Sequence, residues 1–303
     1  MTPDPRIESV PCDLCGADDA PVLHAAMDGW PADAAGHFAA TTDVFGAYGT
    51  IRRCRRCGLA YTSPRLKASA LLDGYANAPD EEYRLEGDAR SMNAYLSLAV
   101  LRRFAKGGRL LEVGSSAGFF LNAARLSYEV TGVEPSEWAR DYSVKRLHLP
   151  VVARTMDEAR FPDGHFDAAA LIDVIEHLAD PLAALRELAR VLRPGGHLYL
   201  VTPDIGSLSA RLLRGRWWGL RPAHIYYFDR KTMTAMLEKA GFEVALVKSY
   251  GRIFTWGYWL SRLENYPRPV YKAVEALIGL MGFEDKFLYL DTRDSIQVVA
   301  RKR

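Results

Sequence analysis

The 303-residue chain is 49% hydrophobic and nearly charge-balanced, with 39 Lys and Arg against 37 Asp and Glu. That balance gives no global positive field to draw nucleic acid, and no apolar run reaches the length of a membrane span. The length suits one sizeable α/β core with a smaller appendage, and the opening MTPDPRIESVPCDLC lacks the apolar stretch of a signal peptide, so a cytoplasmic protein is expected.

All four cysteines come early, as Cys12-x-x-Cys15 and Cys54-x-x-Cys57, followed by Gly16 and Gly58. Two such pairs supply four thiolates for one tetrahedral ion, and the glycine after each permits a tight knuckle that turns backbone N–H groups toward sulfur. A structural zinc is the expectation, with no coordination position left open for catalysis. Disulfides would need an oxidising compartment, of which the sequence carries no sign. Residues 1–65 therefore read as a zinc ribbon, with short strands at Thr50–Arg53 and Gly58–Thr62.

Residues 66–106 read as a helical connector. Leu71, Leu72 and Tyr75, then Met92, Tyr95, Leu98 and Leu101, are spaced for buried faces. The polar stretch between them carries Tyr83 and is either a lid over a ligand or an ordinary surface loop.

From 107 to the end the chain alternates strand and helix. Strands are expected at Arg109–Gly114, Glu129–Glu134, Val151–Ala153, Phe166–Ile172 and His197–Thr202, with helices at Ala117–Leu126, Ser136–Leu147 and Pro181–Leu192. Arg193-Pro194-Gly195-Gly196 reads as a turn. Right-handed crossovers make such a sheet parallel. Lys231–Ala240 is a helix closed by Gly241, followed by strands Phe242–Tyr250 and Ser295–Arg301. The long insertion between them, 252–291, is rich in Phe254, Trp256, Tyr258, Trp259, Tyr266, Phe283 and Phe287. It reads as a substrate cap, as a helical pair packed on the core, or as a dimer or membrane-surface contact.

The apolar strand Leu110-Leu111-Glu112-Val113 breaks at Gly114 and restarts as a helix, a turn where nucleotide-like ligands sit. A dinucleotide site wants glycine at three points, and here the second and third hold Ser116 and Phe119, which hinders close approach of a pyrophosphate. Glu112 would repel phosphate and attract an ammonium or sulfonium group. S-adenosylmethionine carries both. Together, LLEVGSSAGFF, VTGVEPS, FPDGHFDAAALIDVIEHLADP and LRPGGHLYLVTP resemble, in order, the motifs of class I S-adenosylmethionine-dependent methyltransferases, over roughly 109–303. The middle glycine of the loop is replaced by Ser116. The resemblance implies a Rossmann-like, doubly wound seven-stranded sheet with an antiparallel last strand, and the helix-closing Ala240-Gly241-Phe242 step fits that ending.

For the cofactor, the resemblance implies that Gly114, Ser115, Ser116, Gly118 and Phe119 pass under the methionine part, with Glu112 near its ammonium. Glu134, followed by Pro135, would accept the ribose hydroxyls. Met156 and Asp157 match positions that line the adenine, although Asp157 also fits as a helix cap. Asp173-Val174-Ile175-Glu176-His177-Leu178 resembles a segment of ubiquinone-type O-methyltransferases, placing Asp173 at the methionyl end. Histidine has the pKa of a general base, so His177 is a base candidate, or else a local hydrogen-bonding residue. His224 and Tyr226, in a segment resembling one in zinc-ribbon methyltransferases, are further catalytic candidates. His24, His37, His148, His165 and His197 read as structural or surface residues. The acceptor is expected to be a small molecule, with a nucleotide-linked sugar or polysaccharide precursor as the guess, methylated at carbon or oxygen. The alternatives are a catalytically silent adaptor carrying a ribbon module and an NAD-dependent oxidoreductase, the latter opposed by Ser116 and Phe119.

Overall fold

Short strands and cysteine knuckles give way along the chain to helices, and then to an alternating pattern. The computed structural model describes residues 4–27, 38, 48–77, 86–263 and 268–303. Tyr83, His37 and Tyr266 lie outside them.

The first part holds β1 (Ile7–Glu8), β2 (Val22–His24), β3 (Ile51–Arg53), β4 (Ala60–Thr62) and β5 (Arg65–Leu66), then α1 (Ala68–Ala76) and α2 (Gly87–Leu101). The core begins with β6 (Gly108–Val113), α3 (Phe119–Ala124), β7 (Tyr128–Val133), α4 (Glu137–Leu147), β8 (Val151–Ala153) and α5 (Met156–Ala159). It continues with β9 (Phe166–Ile172), α6 (Pro181–Val191), β10 (Leu192–Pro203), α7 (Leu208–Leu213), β11 (Tyr226–Tyr227), α8 (Arg230–Lys239) and β12 (Phe242–Ser249). The insertion comprises β13 (Arg252–Thr255), α9 (Trp256–Ser261), α10 (Arg268–Met281) and β14 (Phe287–Leu290), and β15 (Ser295–Lys302) closes the chain.

Seven strands form one sheet in the order β12-β15-β10-β9-β6-β7-β8, and within it β15 alone runs antiparallel to the rest. The expected sheet is thus the observed one. Residues 193–196, read as a turn, are instead a bulge within β10, where the register against β9 shifts between Leu192 and His197. Alternate residues feed opposite faces, as a period of two requires. Leu111, Ala169 and Leu200 pack toward α6 and α8, and Leu110, Ala170 and Val201 pack toward α2 and α3.

The antiparallel ending sets the position of the insertion. β12 and β15 are arms of one hairpin whose connection is residues 250–294, and Ser295 pairs with Pro203, the carboxyl end of β10. The insertion therefore rises from the carboxyl edge of the sheet, where open α/β sheets bind ligands.

The N-terminal strands do not stand apart from this core. β2, β3 and β4 form an antiparallel sheet whose fourth strand is β11, with Tyr226 opposite Tyr61 and Tyr227 opposite Ala60. Cys12, Leu14, Cys54 and Leu59 share one buried cluster with Phe228 and Met233. Polar ties cross the same boundary: Lys239 Nζ donates to the Leu14 carbonyl (2.5 Å), and the Leu182 N–H to Asp13 Oδ2 (3.0 Å).

Candidate active site

A cavity of about 1220 Å³ opens at the carboxyl edge of the sheet, slightly above the usual 300–1000 Å³ of ligand sites. One end is built by the loops that follow β6, β7 and β8. After β6 the chain turns through Gly114 at φ +70°, where a Cβ would lie 2.6 Å from Val174 Cγ2. Gly118, at φ +79°, caps α3, and a Cβ there would lie 2.6 Å from Leu149 and 2.8 Å from Ser143 Oγ. Both positions demand glycine, whereas Ser116 adopts a left-handed φ of +46° with its side chain in place.

Glu134 is 7% exposed and held by this loop. Its Oε2 accepts the Ser116 N–H (2.7 Å) and its Oε1 the Ser136 N–H (2.8 Å), which leaves each oxygen with spare acceptor capacity toward the cavity. Glu112 is 3% exposed, and its Oε2 has no hydrogen-bond partner. Burial, and next the charge of Glu134, hold the Glu112 carboxyl well above the usual range, while burial raises Glu134 against the pull of its two backbone donors. An orphaned acid beside a second buried acid is a site for a cation. Met156, 9% exposed, and Asp157 line the cavity on α5, whose cap is Thr155, accepting from the Glu158 N–H. Asp157 is thus not the helix cap.

The other end is assembled from four separated segments. Asp173, at φ +55°, does not stand free at the methionyl end, because its Oδ1 receives Arg252 Nη2 from β13 (2.7 Å). His177 Nδ1 lies 2.9 Å from the Ala223 carbonyl and 2.6 Å from the Tyr75 hydroxyl. A carbonyl only accepts, so the contact with Ala223 is a hydrogen bond in the tautomer that carries the proton on Nδ1 and leaves the lone pair on Nε2. Burial lowers the His177 pKa to about 4, so the ring is neutral at physiological pH. His224 packs edge-on to it with centroids 4.7 Å apart, and its Nδ1 lies 2.8 Å from the Gly219 carbonyl. Burial, then the charges of His177 and Arg221, push its pKa well below the ordinary value. Glu176 is 1% exposed, accepts from Thr202 Oγ1 (3.0 Å), and is raised by burial to about 8.

The structure brings Glu112, Gly114, Ser115, Ser116, Phe119 and Glu134 to one cavity with Pro135, Met156, Asp157, Asp173, His177 and His224. Tyr226 is not among the residues lining it. On β11 its ring stacks on Phe228, and its hydroxyl accepts from Arg65 Nη1 (2.9 Å), so it serves the ribbon side and not the reacting centre. Tyr75, Arg221 and Arg252 line the cavity and were not singled out as site residues from the sequence. Tyr75 reads as part of a buried helix face, and nothing local ties it to a histidine 102 positions away.

The four cysteines converge, with every Sγ within 4.8 Å of the others, Cys12 to Cys57 at 3.4 Å and Cys15 to Cys54 at 3.5 Å. Tetrahedral zinc with S at 2.3 Å sets sulfurs about 3.8 Å apart, so the donor set and its size fit that ion.

Residues 87–247 match the family model described as a methyltransferase domain. A ubiquinone biosynthesis O-methyltransferase of Xanthomonas campestris is 32% identical over 144 residues, covering 43% of this chain and 59% of the relative. One from Alkalilimnicola ehrlichii is 34% identical over 106 residues, covering 32% and 42%. The chain thus spans less than two thirds of the curated relatives it matches. Among solved structures, an S-adenosylmethionine-dependent methyltransferase from Archaeoglobus fulgidus superposes with a TM-score of 0.50 at 19% identity, over 74% of this chain and 100% of that one. A chain from the complex of the Haloferax volcanii Trm112 methyltransferase activator with a methyltransferase gives 0.52 at 18%, over 76% and 97%. These two establish likeness of fold.

Proposed function

The chain belongs to the methyltransferase-domain family, and from that premise we propose that it transfers a methyl group from S-adenosylmethionine to a small-molecule acceptor whose proton passes to His177. When bound, S-adenosylmethionine supplies a methyl group on a sulfonium, a leaving group that needs no acid. What remains for the protein is to position the acceptor and to take its proton. Glu112 would receive the cationic ammonium with the oxygen that has no other partner, and Glu134 the ribose hydroxyls with its spare lone pairs. Ala223 and Tyr75 fix the His177 ring so that Nε2 can accept a proton. Cys12, Cys15, Cys54 and Cys57 would hold a structural zinc.

The observation that carries this reading is one cavity with an orphaned buried acid at one end and an oriented, neutral histidine at the other. The names of the curated relatives support an oxygen acceptor. Calorimetric titration with S-adenosylmethionine tests the cofactor half. Glu134→Ala should weaken binding by about 1.5–3 kcal/mol, and unchanged affinity would refute the ribose role.

A further inference from the structure

The wall that the insertion gives the cavity differs chemically from the rest. Val274 and Ile278 of α10, four residues apart and so on one helix face, line it, and Ile278 is buried. Beside them Phe254 stacks on Tyr258 with centroids 3.8 Å apart and meets Trp259 edge-on at 5.8 Å.

Four polar tips of the aromatic lining are engaged by the protein. The Tyr258 hydroxyl accepts from Arg262 Nη2 (2.6 Å), and Trp259 Nε1 donates to the Leu288 carbonyl (3.4 Å). Trp218 Nε1 donates to Asp294 Oδ2 (2.6 Å), and the Tyr250 hydroxyl pairs with Ser97 Oγ (3.0 Å). Apart from Arg252 and Arg262, what this wall presents to a ligand is largely ring face and hydrocarbon. A hydroxyl-rich group placed there would shed water and gain few partners, whereas an apolar one gains by leaving water. The insertion also lies beyond the residues matched to the family model, which end at 247.

We propose that Phe254, Tyr258, Trp259, Val274 and Ile278 of the insertion form the acceptor pocket for a bulky apolar group, ring-sized or larger, while the reacting hydroxyl stays at the polar end beside His177. This rests on the methyl-transfer reading and narrows it, because the hydroxyls of a sugar would meet few partners on a largely apolar wall. Exposed Leu277, Leu280 and Met281 continue the apolar surface on the outer side of α10.

The test is a series of para-n-alkylphenols, methyl to hexyl, titrated into enzyme saturated with S-adenosylhomocysteine and followed by tryptophan fluorescence. Each added methylene should tighten the Kd roughly fourfold until the pocket is full. Ile278→Asp should flatten the series, and the milder Ile278→Ala should weaken the hexyl compound several-fold, both with S-adenosylhomocysteine affinity unchanged by calorimetry. A Kd independent of chain length, or UDP-glucose binding more tightly than hexylphenol, overturns the proposal. Failure of S-adenosylhomocysteine to bind overturns the methyl-transfer reading instead, and the phenol series is then run on the protein alone.

Discussion

The two ends of the cavity are built in opposite ways. At the cofactor end, three consecutive strand-to-helix loops supply backbone N–H groups and buried acids, and each carboxylate is placed by residues close to it in sequence: Glu134 sits two residues from Ser136 and eighteen from Ser116. At the acceptor end, Tyr75, His177, Ala223 and Arg252 come from four segments, and the shortest link among them, His177 to Ala223, spans 46 positions. A ligand shared with many proteins can be served by a compact local device. A particular acceptor is held by whatever the fold brings to that edge.

The strongest challenge to this division is removal of the zinc proposed for the four cysteines. β11 completes the ribbon sheet, and the residues just before it, Ala223 and His224, border the acceptor end. Chelation, or Cys54→Ser, should therefore remove several kcal/mol of stability and abolish turnover. Metal analysis and thermal melts read this directly, and a chain that keeps both melting point and turnover without metal would detach the ribbon from the site.

Next in size is His177→Ala, expected to cut turnover roughly 10²–10⁴-fold while S-adenosylmethionine affinity holds. Loss of cofactor affinity instead would mean that the two ends are one unit.

The smallest effect concerns pH. Glu176 titrates near 8 when folded, against an ordinary 4.5, so the folded protein holds the extra proton between those values. Its contribution is complete below pH 4.5 and is lost as pH rises through about 8, with a slope of at most about 1.4 kcal/mol per pH unit. Melting temperatures should fall from pH 6 to 8.5, and Glu176→Gln should flatten that slope. His177, with its pKa lowered, works in the opposite sense and costs stability as pH falls from 6.5 toward 4.

Legibility in the sequence follows the same division. LLEVGSSAGFF could be placed because strand, turn and helix periodicities are local and Gly114 and Gly118 take the tight backbone positions, whereas Glu134 and the Met156-Asp157 pair came from resemblance to class I methyltransferases. Tyr226 was given to the reacting centre because it lies near His224 in the chain, yet pairing with Tyr61 turns it to the ribbon. Asp173 lines the cavity as its place after β9 suggested, but its ion pair with Arg252, 79 residues later, had no local sign.

The sequence by itself determined the strand and helix alternation, the glycine turn and the two cysteine pairs, because each rests on periodicity or on spacing within a short stretch, and the antiparallel ending followed from resemblance to class I methyltransferases. Only the tertiary structure decided that the ribbon borrows a strand from the catalytic core, that Tyr75 orients His177, and that the insertion walls the cavity. Those contacts join segments tens to more than a hundred residues apart, and chain separation of that size leaves no local pattern to read.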